Sequence, residues 1–120
     1  MPLLIGDVIR VFDRQTHPPK QKRLICIDPD RQLFLRINTS QLFRPHLLIR
    51  ADGADFLDHD SYVELQQLIR PFADDINHSE LLGKLTETHA KLICISVRTC
   101  TALSDDLKEN IIQQLETLLS

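Results

Sequence analysis

The stretch DVIRVFD, residues 7–13, is rich in β-branched and apolar side chains, and Gly6 just before it can turn the chain. This composition and its boundary predict a β-strand. Similar short runs follow at a spacing of about ten to fourteen residues, at 23–27, 32–38 and 45–50. Short strands at such a spacing are typical of a small antiparallel β-barrel.

Proline-containing segments separate these strands. Residues 15–22 include Pro18 and Pro19, which disfavour a helix and remove two amide donors from any strand ladder. We therefore interpret 15–22 as a loop. The triplet Asp28-Pro29-Asp30 is a strong turn signal between the second and third strands.

The middle of the chain allows two interpretations of its secondary structure. Residues 51–60 form an acidic loop with Gly53 and four aspartates. The alternation in SYVEL, residues 61–65, predicts a fifth strand, with a short continuation to about Phe72. A helix is the competing interpretation, because QQLI at 66–69 is not strand-like in composition.

The last third of the chain predicts two helices. Thr86 can cap a helix over 87–98, and Ser104 can cap the final helix. The apolar side chains of the final helix recur at helical spacing: Leu107, Ile111, Leu115 and Leu118, with Ile112 and Leu119 beside them. This stripe predicts packing against the barrel or a twin subunit, with the chain's own domain the expected partner.

Length and composition favour one domain over residues 1–120, because 42% hydrophobic residues are enough for one modest core. The apolar opening is too short for a signal peptide, and no apolar run approaches the ~18 residues that span a bilayer. We therefore expect a cytoplasmic protein with no membrane association. The odd cysteine count fits reduced thiols, with Cys26 and Cys94 buried in apolar runs.

Charge is distributed unevenly along the chain. Residues 1–50 carry nine Lys/Arg against four Asp/Glu, whereas residues 51–120 carry five against thirteen. The balances of +5 and −8 fit a protein with one face for an anion such as nucleic acid, or simply charges at solvent-exposed positions. No phosphate-binding loop or zinc-type Cys/His spacing is present, so any enzyme here is expected to work without a metal or cofactor.

Six short motifs occur in an order that resembles the MazF/PemK/Kid family of bacterial type II toxin–antitoxin toxins. They are Gly6-Asp7-Val8, the loop with His17, Arg23–Ile27, Ile37-Asn38-Thr39-Ser40, Asp60–Val63 with Gln67–Arg70, and Leu82–Thr86. The resemblance covers nearly the whole chain. It implies an α+β fold, namely an SH3-like small antiparallel β-barrel with C-terminal helices.

The same resemblance implies a homodimeric endoribonuclease that cleaves single-stranded RNA without a metal and is neutralised by an antitoxin protein. In such chemistry the ribose 2′-hydroxyl attacks the adjacent phosphate, which requires a base, an acid and stabilisation of the phosphorane. Carried onto this chain, Arg23 stabilises the phosphate and Thr39 takes part in catalysis. His17 and Ser40 contact the substrate.

One departure from the family concerns the fifth strand. Some members carry an Arg and an Asp one residue apart there, and those positions fall on Glu64 and Gln66. Glu64 can still supply a catalytic carboxylate on the same face. The alternative hypothesis is a non-catalytic SH3-like module that binds a protein or peptide.

Overall fold

The computed structural model describes residues 2–40 and 45–119. Its elements in chain order are β1 (Asp7–Asp13), β2 (Lys20–Asp28), β3 (Leu33–Asn38), β4 (His46–Ile49), β5 (Ser61–Glu64), α1 (Ala73–Asn77), β6 (Glu80–Lys84), α2 (Glu87–Thr99) and α3 (Asp105–Glu116). The fold is therefore α+β with C-terminal helices, as the sequence predicts, and its antiparallel sheet has six strands where the sequence predicted five.

The strands form one sheet in the order β4-β5-β3-β2-β1-β6. Every pairing is antiparallel, and the register shifts at two places, where β6 has an extra residue, Leu82, opposite Val8 and Ile9, and β2 has an extra residue, Ile27, opposite Leu33 and Phe34. Within the described residues β4 and β6 are edges that do not pair with each other, so the sheet is open and closure into a barrel is not confirmed.

The two faces of the sheet are buried differently. One face packs with α2 and α3 around the larger core, which includes Ile25, Leu35, Ile93, Ile111 and Leu115. The other face carries a smaller core: Ile9, Val11, Leu24, Cys26, Phe34 and Ile69. Because residues i and i+2 of a strand share a face, each buried central strand supplies both cores in turn.

The helix predictions are confirmed. Thr86 Oγ1 accepts a hydrogen bond from His89 N at 3.0 Å, and Ser104 Oγ accepts one from Leu107 N at 3.3 Å, so each helix begins at its expected cap. Ile111 and Leu115 are fully buried, and the rest of the predicted stripe packs against the same core. Cys26 and Cys94 are buried free thiols, and burial raises the pKa of Cys26 to about 12.

Two segment predictions are corrected, and one strand was not predicted. β2 begins at Lys20 inside the predicted loop, because the ladder with β1 continues to the pair Asp13 and Lys20. β5 ends at Glu64, and residues 66–72 form neither the strand continuation nor the helix, apart from an isolated bridge between Phe34 and Ile69. The motif Leu82–Thr86 begins inside β6 (Glu80–Lys84), a strand that the sequence did not predict and that lies on the edge beside β1. The predicted site residues Thr39 and Ser40 are the last described residues before position 41.

The short helix α1 is tied to the end of β1 by an ion pair. Arg14 donates from Nε and Nη2 to the Asp75 carboxylate at 2.7 and 3.0 Å, and this pairing lowers the pKa of Asp75. The Arg14 guanidinium also lies 5.2 and 5.7 Å from the ring centres of Phe12 and Phe72. The β1 end is therefore held by side-chain contacts.

The described helices include none that is both long and apolar enough to cross a membrane.

Gly6 connects three parts of the fold. Its amide donates to Cys26 O at 2.8 Å, and its carbonyl accepts from Leu85 N at 2.7 Å. Its φ of +87° lies in the left-handed region, and a Cβ at this position would lie 2.7 Å from Leu118 Cδ1. The left-handed φ therefore favours glycine, and a Cβ at this position would also displace the end of the Leu118 side chain, which follows α3.

Replacing Gly6 by Ala is expected to lower the free energy of unfolding by about 1–3 kcal/mol, through the left-handed φ and the contact with Leu118. The matched control is Gly53→Ala, because Gly53 has φ +77° with no atom within 4 Å of the added Cβ. Urea unfolding should show the larger loss for Gly6→Ala. Equal losses would mean that the contact with Leu118 does not contribute to the destabilisation of Gly6→Ala.

His89 provides a pH-dependent contribution to stability. Its ring packs edge-on against Phe56 at 6.1 Å, Nδ1 is buried with no partner among the described residues, and burial lowers its pKa. The folded state therefore disfavours protonation of His89. The free energy of unfolding is unaffected by protonation of His89 above the unfolded pKa of about 6.5, and it decreases as the pH falls below that value, because the unfolded state then binds a proton more readily.

We expect the wild-type free energy of unfolding to fall more than that of His89→Phe between about pH 7.5 and 5.5. The control is His59→Gln, since His59 is exposed in the acidic loop. Urea unfolding at each pH gives the slope of the free energy of unfolding against pH for each protein. A His89→Phe slope as steep as that of the wild type would contradict the assignment.

Candidate functional site

A cavity of about 320 Å³ lies under the N-terminal segment, but a smaller one is lined by polar and cationic side chains. This second cavity has a volume of about 240 Å³ and lies at the ends of β2, β3 and β5. Its lining consists of Lys20, Gln21, Lys22, Arg23, Ile37, Thr39 and Ser61. We call it the cationic cavity.

Strand register explains why these residues meet. Arg23 pairs with Ile37, and Ile37 pairs with Val63. Thr39 is two residues after Ile37 and Ser61 is two residues before Val63, so both lie on the Arg23 face of the sheet. The cavity therefore forms where three neighbouring strands end together.

Arg23, which the family resemblance predicts to stabilise the phosphate, lines this cavity. Its side chain is 22% exposed, and Nη2 donates to Asp58 Oδ2 at 2.8 Å. The Asp58 side chain is 81% exposed, in the acidic loop. Arg23 Nε is buried and has no hydrogen-bond partner within residues 2–40 and 45–119. Because exposed ion pairs are weak, a stronger anion can compete with Asp58 for this guanidinium.

The other predicted site residues are distributed differently. Thr39 lines the cationic cavity together with Arg23. Ser40 follows Thr39 and is exposed. His17 is exposed in the loop between β1 and β2, before a cis bond to Pro18. Neither Ser40 nor His17 is among the described residues that line the cavity.

Glu64 is buried on the opposite face of the sheet from Arg23. Its side chain is 1% exposed, and Oε2 accepts from Asn38 Nδ2 at 3.0 Å and Arg36 Nη1 at 3.5 Å. The structure therefore brings Arg23 and Thr39 together at the cationic cavity. Among the described residues that line this cavity, Glu64 is absent.

A chain of buried polar side chains connects Glu64 to its neighbours. Arg36 Nε donates to Asp13 Oδ2 at 2.8 Å, and Lys22 Nζ donates to Asn38 Oδ1 at 2.8 Å. We call these five side chains the polar network: Asp13, Arg36, Glu64, Asn38 and Lys22. It crosses β1, β2, β3 and β5 on one face of the sheet.

The polar network is balanced in charge and reaches the cavity through one member. Two carboxylates offset one guanidinium and one ammonium, which reduces the cost of burying them. All members except Lys22 are buried, and Lys22 also lines the cationic cavity. Burial is the main cause that lowers the pKa of Lys22, and the nearby charges of Lys20 and Arg36 lower it further.

The sequence analysis did not identify Lys20, Lys22, Arg36, Asn38 or Asp13 as site residues. A signal was present in β3, where Arg36 and Asn38 follow Phe34 at two-residue intervals and so share its buried face. Two adjacent polar positions on a buried strand face indicate that partners must exist on neighbouring strands. Which strands supply those partners depends on the sheet order.

In the part of the chain that the structure describes, no three His, Cys, Asp or Glu side chains are grouped closely enough to hold a metal ion. No protein-family model matches this chain, and no curated protein gives a significant match to it.

Proposed function

We propose that this protein is a toxin-like endoribonuclease that cleaves single-stranded RNA without a metal ion. The observation that carries the proposal is the cationic cavity, where Arg23, Lys20 and Lys22 lie beside Thr39. Three cationic side chains and a hydroxyl match the requirements of a phosphodiester, which carries a negative charge and accepts hydrogen bonds. The motif order that resembles MazF/PemK/Kid toxins supports the same reaction.

In this proposal the RNA phosphate occupies the cationic cavity. Arg23 binds the phosphate and stabilises the charge of the phosphorane, and Thr39 donates a hydrogen bond to a phosphate oxygen. Ser40 and His17 contact the substrate beyond the cavity. Glu64 acts indirectly, because its carboxylate is buried and holds Asn38.

The wider proposal follows the family resemblance. In this wider proposal the open sheet is related to an SH3-like barrel that is open between β4 and β6, and the bulges in β2 and β6 provide curvature of the kind such a barrel needs. The protein works in the cytoplasm as a homodimer, and an antitoxin protein inhibits it.

A second candidate function is a peptide-binding module. The edge strand β4 lies beside α2, and a groove of about 260 Å³ between them is lined by Leu48, Leu92 and His89, among others. An edge strand next to a partly apolar groove suits an extended peptide that adds a strand to the sheet.

Cleavage of RNA in EDTA distinguishes the two functions. We expect purified protein to cut single-stranded RNA and to leave a 2′,3′-cyclic phosphate and a 5′-hydroxyl. Arg23→Ala should reduce the rate by about 100-fold or more, since a phosphate-stabilising donor contributes that much. The control is Arg31→Ala, because Arg31 is exposed at the other end of β2. Intact RNA at high protein concentration, with no growth arrest on expression, would reject the nuclease.

Asp58 is expected to weaken RNA binding by occupying Arg23. Asp58→Asn should lower the Kd for a non-cleavable 2′-deoxy oligonucleotide by about 1.4- to 5-fold, since an exposed ion pair contributes ~0.2–1 kcal/mol. The control Asp55→Asn removes an equal charge from the same loop. Fluorescence anisotropy at constant salt measures both. Equal gains would show that general charge, and not the Arg23 pair, is responsible.

A further inference from the structure

Lys22 is held in one orientation by the polar network. Its Nζ donates to Asn38 Oδ1 at 2.8 Å, and Asn38 Nδ2 donates to Glu64 Oε2 at 3.0 Å. An ionised carboxylate only accepts hydrogen bonds, so the Asn38 amide must present its NH₂ group to Glu64. The Asn38 oxygen is then left to face Lys22, which directs the ammonium group.

Arg36 holds the far end of this arrangement. It donates to Glu64 from Nη1 at 3.5 Å and to Asp13 from Nε at 2.8 Å. Glu64 and Asp13 are therefore fixed on either side of one buried guanidinium. Since these groups are buried, the position of Asn38 is set by the protein interior and not by solvent.

Lys22 has unused donor capacity at the cavity. An ammonium group has three N–H donors, and among residues 2–40 and 45–119 only Asn38 accepts one. Lys22 lines the cationic cavity together with Arg23, so a phosphodiester that fills this cavity meets both residues. Two N–H donors of the ammonium group remain beyond the bond to Asn38.

Burial and two neighbouring positive charges make Lys22 a better proton donor than an exposed lysine. Burial lowers its pKa first, and Lys20 on the same strand and Arg36 on β3 lower it further. Asp13 on β1 and Glu64 on β5 act in the opposite direction. Because the lowering causes dominate, the ammonium releases its proton more readily than usual, as general acid catalysis requires.

We infer that Lys22 is a catalytic residue, the general acid that protonates the 5′-oxygen leaving group, and that Asn38 and Glu64 are its positioning residues. The inference rests on the proposed nuclease function. It adds a specific proton donor to a site for which the family motifs supply a phosphate ligand and hydrogen-bond donors.

The proton transfers of this step are balanced. A solvent hydroxide ion takes the proton of the 2′-hydroxyl, and the 2′-oxygen forms a bond to phosphorus. The bond between phosphorus and the 5′-oxygen breaks, and Lys22 transfers a proton from Nζ to that oxygen. The products are a cyclic phosphate and a 5′-hydroxyl, and the neutral Lys22 amine regains its proton from water.

The experiment compares an ordinary RNA with one whose scissile 5′-oxygen is replaced by sulfur. A thiolate leaves without protonation, so a variant that lacks only the general acid should cleave the sulfur-containing RNA normally. We expect Lys22→Met to cut ordinary RNA about 100-fold more slowly or worse, and the 5′-thio RNA within a few-fold of the wild type. Thermal unfolding confirms that the variant folds.

Three further variants separate proton transfer from charge and structure. Lys22→Arg keeps the charge, but a guanidinium does not release its proton near neutral pH. This variant should therefore cleave ordinary RNA slowly and the 5′-thio RNA at close to the wild-type rate, as Lys22→Met does. Lys20→Met removes a charge from the same cavity and should slow both RNAs equally. Glu64→Gln should leave the proton donor in place but shift the alkaline limb of the pH–rate profile.

The outcomes distinguish this inference from the proposed function. A wild-type protein that cleaves neither RNA would reject the nuclease and, with it, the role of Lys22. A wild-type protein that cleaves both, with Lys22→Met slowed equally on both or on neither, would overturn the role of Lys22 alone.

Discussion

The buried guanidinium of Arg36 is the interaction on which the sheet depends. It lies between Asp13 and Glu64, so one side chain from β3 links β1 and β5 on either side of it. Removing one partner of a buried ion pair typically costs about 3–5 kcal/mol, because the remaining charge stays buried. A one-residue slip of any of these strands would turn a charged side chain towards the apolar core on the other face. The register of the sheet is therefore constrained by charge as well as by packing.

This constraint also determines where the cationic cavity forms. The two faces of β2 alternate, so Lys22 belongs to the polar network while Arg23 pairs with Asp58. Both residues line the cavity, although their side chains leave β2 on opposite faces. Arg23 is held by an ion pair with the exposed Asp58, whereas Lys22 is tied to the buried Asn38.

The features that local sequence determines were predictable. The β-branched run at 7–13 forms β1, and Thr86 and Ser104 cap their helices through their own hydroxyls. What could not be predicted depends on neighbours distant in sequence. The stretch Glu80–Lys84 becomes a strand because β1 offers a free edge, and no propensity in ELLGK requires it. Closure of the barrel likewise depends on whether two edges meet.

In the candidate site, too, some residues could be predicted from local sequence and others could not. Arg23 and Thr39 were identified from short motifs, and the structure places both at one cavity. Glu64 was expected to act as a catalytic carboxylate, but its burial depends on Arg36 and Asn38, which pair with it only after the sheet has formed. Sequence spacing along one strand cannot reveal that partnership.

The β1–β2 hairpin extends beyond the strands that flank it. β6 pairs with β1 only up to Arg10, and β3 pairs with β2 only from Arg23, so residues 11–13 and 20–22 form a two-stranded ribbon. Side chains, and not a third ladder, hold this ribbon, through Arg36 to Asp13 and Lys22 to Asn38. Amide hydrogens in such a ribbon exchange by local opening, at a lower free energy than those of the central sheet. The exposed residues Lys20 and Gln21 of this ribbon can therefore adjust to a ligand, while the hydrogen bond to Asn38 keeps Lys22 in place.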